Sequence, residues 1–206
     1  MGTTKLPWIQ TFSETVFNLF LPDQNDIHIV DIAHALAQIP RFTGHLPMPV
    51  SVAQHSVLVS YLVDKRYARE GLMHDAAEAY FNDLNKVAKA NMPEYKEHEL
   101  KLLAEILRKF GCQDVLPKEV HEADAKALRL EIMQNLRYKC PLWQKYVTNP
   151  FELVQCRVKL PEIPWSFNMA KQQFLARYNE LFEQPFMQKD EPDILLPSGE
   201  DDNQTV

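Results

Sequence analysis

The segment Gly71-Leu-Met-His-Asp-Ala-Ala-Glu-Ala-Tyr-Phe-Asn-Asp83 sets adjacent His74 and Asp75 inside a run that otherwise reads as one buried helix. Leu72, Met73, Ala76, Ala77, Ala79 and Tyr80 are apolar enough for a core, where an unpaired charge is costly. Glu78 follows His74 by four positions and Asp75 by three, so all three side chains leave roughly one helical face. A buried helix that directs His, Asp and Glu the same way needs something to neutralise them. A divalent metal ion is the simplest candidate.

The composition bounds what else the chain can be. Its 206 residues, 46% apolar and 24% charged, suffice for one domain with a substantial core. Neither GxxxxGK[ST] nor GxGxxG occurs, so the common nucleotide-cradling loops are absent. A net charge of −6 argues against a protein that coats a nucleic acid polymer, while leaving room for a small phosphorylated ligand held by a metal and a few local cations. No apolar run approaches the roughly 20 residues of a membrane span, and the first residues lack the apolar stretch of a signal peptide. Cys112, Cys140 and Cys156 form no CxxC pair, which suits reduced thiols and a cytoplasmic setting.

Working outward, residues 8–20 alternate and are rich in aromatic and β-branched types, predicting a hairpin that turns at Ser13-Glu14. Asp31 is placed to cap a helix over 32–39 that Pro40 ends. Arg41-Phe42-Thr43-Gly44-His45 forms a loop pivoting on glycine. Ser51 is a good N-cap for a helix over 52–63 that carries His55 in its first turns. Asn82 to Asn85 break the His74 helix. A helix over 94–110 presents Leu100, Leu103, Ile106, Leu107 and Phe110 at core spacing, and Gly111 stops it. Pro117 opens another helix, to about Tyr138, with Asp124 in its second turn. Residues 139–165 are irregular with a short strand expected within 151–160, and a last helix covers 167–186. The predicted fold is mainly α, a helical bundle with a small N-terminal β-hairpin. It forms one domain over 1–187, followed by an acidic tail over 188–206 that composition marks as disordered. Trp8, Trp143 and Trp165 read as packing residues.

His55, His74, Asp75 and Asp124 are the candidate ligands. Imidazole and carboxylate donors without thiolates suit Mn, Co, Fe, Ni or Zn in a hydrolytic site. Taken alone, His55 would be an ordinary buried histidine; the His74-Asp75 pair and Asp124 in matching contexts change that reading.

Ser-Val-Ala-Gln-His55-Ser, Leu-Met-His74-Asp75-Ala-Ala-Glu78 and Glu-Ala-Asp124-Ala-Lys together resemble the H…HD…D pattern of HD-domain metal-dependent phosphohydrolases. Within that superfamily the chain is similar to bacterial and phage-type 5′-deoxynucleotidases and their deoxynucleoside triphosphohydrolase relatives. Trp-Ile-Gln-Thr-Phe-Ser near the N-terminus and Ile-Pro-Arg41-Phe42-Thr-Gly44-His45-Leu carry the phage-type likeness. The resemblance spans about residues 8–135. It implies an HD-type helical bundle, metal binding by His55, His74, Asp75 and Asp124, and catalytic acids at Glu78 and Asp83. It further implies that Arg41 reaches a substrate phosphate and that Phe42 lies against the nucleoside. The segment from Asn82 to Lys89 lacks the prolines of the family pattern, so Lys89 and Lys86 both remain open as its lysine.

The implied reaction is hydrolysis of a phosphate ester or anhydride of a small deoxynucleotide, with Arg41, His45 and Lys89 balancing phosphoryl charge. The implied cofactor is Mn, Co, Zn or Fe, with Mg as a candidate second ion. A homo-oligomer in the cytoplasm of a bacterium or phage-infected host is expected, without nucleic acid polymer or membrane as partner. Two alternatives stand beside this reading: hydrolysis of a cyclic or signalling nucleotide, and a non-catalytic nucleotide-binding module. The first would need a further histidine, for which His121 is the nearby candidate.

Overall fold

The computed structural model describes residues 7–135 and 164–183. The chain is mainly helical with a two-stranded antiparallel hairpin at its N-terminus. Strands β1 (Trp8–Gln10) and β2 (Val16–Asn18) pair with Ile9 opposite Phe17. Glu14 adopts a φ of 64° in the turn between them. This hairpin is fastened to the helices at two points. Ser13 donates from its backbone N and its Oγ to the two Asp31 carboxylate oxygens, at 2.7 and 2.8 Å. Phe17, fully buried, stacks on Tyr80 with ring centroids 4.3 Å apart.

Asp31 therefore does a different job from the one its sequence position suggests. Helix α1 spans Ile29–Gln38 with His28 at its N-cap, so Asp31 lies inside the first turn. Its carboxylate is buried against the Ser13 turn instead of capping helix donors. Helix α1 ends before Pro40, which cannot continue it. Backbone bonds from Arg41 N to Val50 O at 2.8 Å and from Val52 N to Ile39 O at 3.0 Å then pinch the base of the 41–50 loop.

Helix α2 (Val52–Leu62) starts at Ser51, whose hydroxyl accepts from Gln54 N at 3.2 Å. The sequence suggested one apolar face; in the structure every residue from Val52 to Ser60 is buried. The helix is central, so its polar side chains must find internal partners. Ser56 and Ser60 donate back to Val52 O and Val57 O, and Gln54 Oε1 accepts from Trp165 N at 3.1 Å. Arg177 donates to Ser60 and lies over the Tyr61 ring at 3.8 Å.

The expected continuous helix over 71–81 is divided in two. Helix α3 (Ala68–Met73) gives way to turns over residues 74–77, and α4 (Glu78–Phe81) follows. Bonds of i→i−3 type, Ala76 N to Met73 O and Glu78 N to Asp75 O, show the local tightening. Asn82, at φ 72°, ends α4. Helices α5 (Lys86–Ala90) and α6 (Pro93–Lys109) come next, and Gly111 at φ 68° closes the latter. Leu103, Ile106 and Leu107 enter the core as predicted, whereas Leu100 is 54% exposed. Helix α7 runs Lys118–Asn135 and α8 runs Phe167–Phe182. Trp165 packs in the core, while Trp8 is half-exposed. The predicted strand within 151–160, Trp143, and the acidic tail from 188 lie outside the described residues. Among those described, no helix is long and apolar enough to cross a membrane.

Helices α2 and α3 pack closely because Gly71 faces α2. A Cβ built there would stand 3.1 Å from Ser60 Cα and 3.0 Å from Val63 Cγ1. Gly71→Ala should therefore force the two helices apart, at a cost of about 1–3 kcal/mol. Urea denaturation should show a lowered midpoint with little change in slope; an unchanged midpoint would refute the close-packing role.

Candidate metal centre

Three elements converge on one buried point. His55 leaves α2 with no solvent exposure, His74 and Asp75 sit in the turn after α3, and Asp124 lies in the second turn of α7. One ligand atom from each of His55, His74 and Asp124 falls within 4.8 Å of the others. Asp75 Oδ2 joins them, 3.1 Å from His74 Nε2 and 3.7 Å from His55 Nε2. The four residues singled out from the sequence thus meet in space.

The hydrogen bonds behind the imidazoles fix which nitrogen faces the cluster. His74 Nδ1 lies 2.9 Å from Gly71 O, an acceptor only, so Nδ1 carries the proton. His55 Nδ1 lies 2.9 Å from Glu131 Oε1 and donates to it in the same way. Both Nε2 atoms are buried and without a hydrogen-bond partner. His55 Nε2 stands 3.1 Å from Asp124 Oδ1, near enough for strong attraction but out of hydrogen-bond alignment. Two imidazole Nε2 atoms facing two carboxylates form a donor set that one cation between them would satisfy, and outer partners holding each Nδ1–H are the usual support of a histidine ligand. The residues present fit a divalent ion.

Electrostatics tell the same story from the protons. Burial and Arg41 work against charge on His55, but Glu131 and Asp124 outweigh them and raise its pKa to about 9. Burial likewise opposes ionisation of Asp124, yet His55 and His74 pull its pKa down to about 2. Asp75 is held well below the carboxylate range, its burial overcome by His74, His55 and Arg41. Glu78 goes the other way: burial, with Asp75 and Asp83 nearby, lifts it far above that range against the pull of Lys89. Asp83, half-buried, is also raised by burial.

The remaining predicted residues divide. Arg41 reaches the cluster, with Nη1 3.9 Å from Asp75 Oδ2, and its Nε donates to Glu131 Oε2 at 3.0 Å. Phe42 follows it in a turn where Phe42 and Thr43 both have φ near +55°, a conformation that a β-branched threonine rarely adopts. Lys89 lies 3.4 Å from Glu78 Oε1 and 2.8 Å from Glu99 Oε1, so two carboxyl groups engage it. Lys86, the other lysine left open, is exposed, as are His45 and His121.

Two acids at the site, Glu131 and Glu99, escaped the sequence reading. A readable signal existed for both. Buried Val120, Ala123 and Ala127 lead at helical spacing to Glu131, and Glu99 leads in the same way to Leu102, Leu103 and Ile106. An acid on an apolar stripe must be paired, because burying it alone is prohibitive.

Comparison with known proteins places the chain among relatives. It is 37% identical over 178 residues to the uncharacterized protein YfdR of Escherichia coli (strain K12), an alignment covering 86% of this chain and 97% of that one. An uncharacterized protein of Rhodobacter capsulatus is 33% identical over 144 residues, covering 63% of this chain and 74% of its own. The chain belongs to the family of these proteins. No family model matches it.

In the metal-free protein the His55 proton is retained to about pH 9, against 6.5 ordinarily. Its stabilising effect is complete below pH 6.5 and lost as the pH rises through 9. An ion taking Nε2 must displace that proton. Calorimetric titration with Mn²⁺ at pH 7.5, in buffers of differing ionisation enthalpy, should detect release of about one proton per ion. His55→Ala should abolish the release and weaken binding at least about tenfold. Tight binding without proton release would contradict this account.

Proposed function

We propose that the protein is a metal-dependent phosphohydrolase of the HD type acting on small deoxynucleotides. The observation that carries this reading is the meeting of two unpartnered imidazole Nε2 atoms with Asp75 and Asp124. A buried acid that retains its proton and a cation-bearing loop lie beside them. The donor set, N and O without S, suits Mn, Co, Zn or Fe. Once bound, such an ion supplies positive charge against phosphoryl oxygens and acidifies water.

The side chains would then divide the work. His55, His74, Asp75 and Asp124 hold the ion. As a water oxygen bonds to phosphorus and the ester P–O bond breaks, Glu78, whose carboxyl keeps its proton because it is buried among other acids, would protonate the departing oxygen. The attacking water would give a proton to Asp83, and solvent would restore the Glu78 proton. Asp83 shares the acid–base role from the half-buried rim. Arg41, its Nε held by Glu131, offers its Nη edge to a phosphate. Phe42, carried on the same turn, supports the nucleoside.

The supply of cations favours a short phosphate chain. Among the described residues Arg41 is the permanent cation ion-paired to a candidate ligand, Asp75, while Lys89 is engaged by Glu78 and Glu99. These described cations suit a single phosphoryl group, so a deoxynucleoside monophosphate is the substrate proposed first. Release of triphosphate from a dNTP, including dATP, is the variant of the same chemistry. Cleavage of a cyclic or signalling nucleotide with a second, histidine-rich metal site has less support, since His121 is exposed.

Metal-reconstituted protein should be incubated with dNMP, dNTP and NTP panels under Mn, Co, Zn and Mg, resolving orthophosphate from triphosphate. Orthophosphate from dNMPs is expected, and Asp75→Ala should abolish it. Glu78→Gln should lower kcat by roughly 10²–10⁴-fold with the ion still bound. Metal-loaded protein that releases nothing from any panel would overturn the reading.

A further inference from the structure

We infer that Glu131 is a positioning residue whose single buried carboxylate locks the ligand His55 and the cation Arg41 into one unit, so that metal affinity and phosphate capture rise and fall together. The inference rests on the proposed metal reading of the cluster.

Glu131 lies seven residues beyond Asp124 on α7, two turns along the same face, and its side chain is only 2% exposed. Each carboxylate oxygen is committed to a different residue. Oε1 accepts from His55 Nδ1 at 2.9 Å, and Oε2 accepts from Arg41 Nε at 3.0 Å. The first bond keeps a proton on His55 Nδ1 and turns Nε2 toward Asp75 and Asp124, where an ion would be held. The second turns the guanidinium so that Nη1 approaches Asp75 Oδ2.

The two halves of this unit come from unrelated elements. His55 belongs to a helix buried all round, and Arg41 to a loop whose backbone is left-handed at Phe42, Thr43 and Gly44. The loop is pinched at its base by the Pro40–Ser51 pairing. Glu131 joins its arginine side chain to the helices at the cluster.

A glutamine cannot replace it. The amide has one acceptor oxygen, so serving His55 turns its NH₂ toward the Arg41 donor, and serving Arg41 turns it toward the His55 donor. Glu131→Gln should therefore weaken both functions without removing volume.

Co²⁺ binding to wild-type and Glu131→Gln protein would be followed by visible absorption, and inorganic phosphate then titrated into the Co²⁺-loaded forms. The expected result is a Co²⁺ Kd raised about 10–100-fold in the folded variant, with phosphate binding weakened at least tenfold. Wild-type constants for both in a folded variant would overturn the inference while leaving the metal reading intact. Wild-type protein that takes up no Co²⁺ would overturn the metal reading and the inference with it. Should the variant not fold, ¹⁵N NMR of Zn²⁺-loaded wild-type protein decides. His55 must then bear its proton on Nδ1, and a proton-free Nδ1 would overturn the assignment.

Discussion

Every other feature of this site follows from the burial of His55 on a helix with no exposed face. Helix α2 cannot turn that imidazole toward water, so each of its nitrogens must be satisfied from within. Glu131 meets Nδ1, while Nε2 faces Asp75 and Asp124 without a hydrogen bond and is left for a cation between them. Glu131 is in turn too buried to stand with one partner alone. Arg41 enters as the partner of Glu131, and its approach to Asp75 extends the network to the loop. The chain of compensation runs from one histidine through three elements, which explains why distant segments share a single point.

Local backbone geometry is subordinate to that convergence. A regular α-helix through residues 71–81 would step its side chains by 100° each. The tightening over residues 74–77 alters that spacing and sets His74 and Asp75 together against α2. Gly71 permits the close approach, since its missing Cβ lets α3 lie on Ser60 and Val63, and its carbonyl is the acceptor that fixes the His74 tautomer. One glycine thus serves both the packing and the orientation of a candidate ligand.

The sequence disclosed the parts of this design that obey periodic rules. The hairpin, the Ser51 cap, the order of helices and the four candidate ligands were all readable, because alternation, capping chemistry and charged residues on apolar faces leave local marks. What it hid was pairing across distance. Asp31 looked like a cap because capping is the local use of an aspartate, and the Ser13 turn that claims it is eighteen residues away. Glu131 and Glu99 were not singled out, although their place on buried stripes marks them as acids in need of a cation. Lys89 looked like a free phosphate contact, but Glu99 holds it from the next helix. Leu100, expected in the core, faces solvent because α6 is only half-covered.

On the proposed reading, the charge inventory also orders the binding events. Asp75, Asp124, Glu131, Asp83 and Glu99 surround the site, together with a Glu78 that avoids ionisation, while Arg41 and Lys89 are the fixed cations. His55 adds a third positive charge in the metal-free protein. That balance repels a phosphate dianion. A divalent ion on the imidazoles lowers the local negative charge, releasing the His55 proton but bringing two charges in its place. Phosphate and metal should therefore bind with positive coupling, each raising the affinity for the other by the same factor. A nucleotide would be a poor ligand for the metal-free chain and a good one for the loaded chain, with Arg41 adding direction once the ion has supplied the attraction.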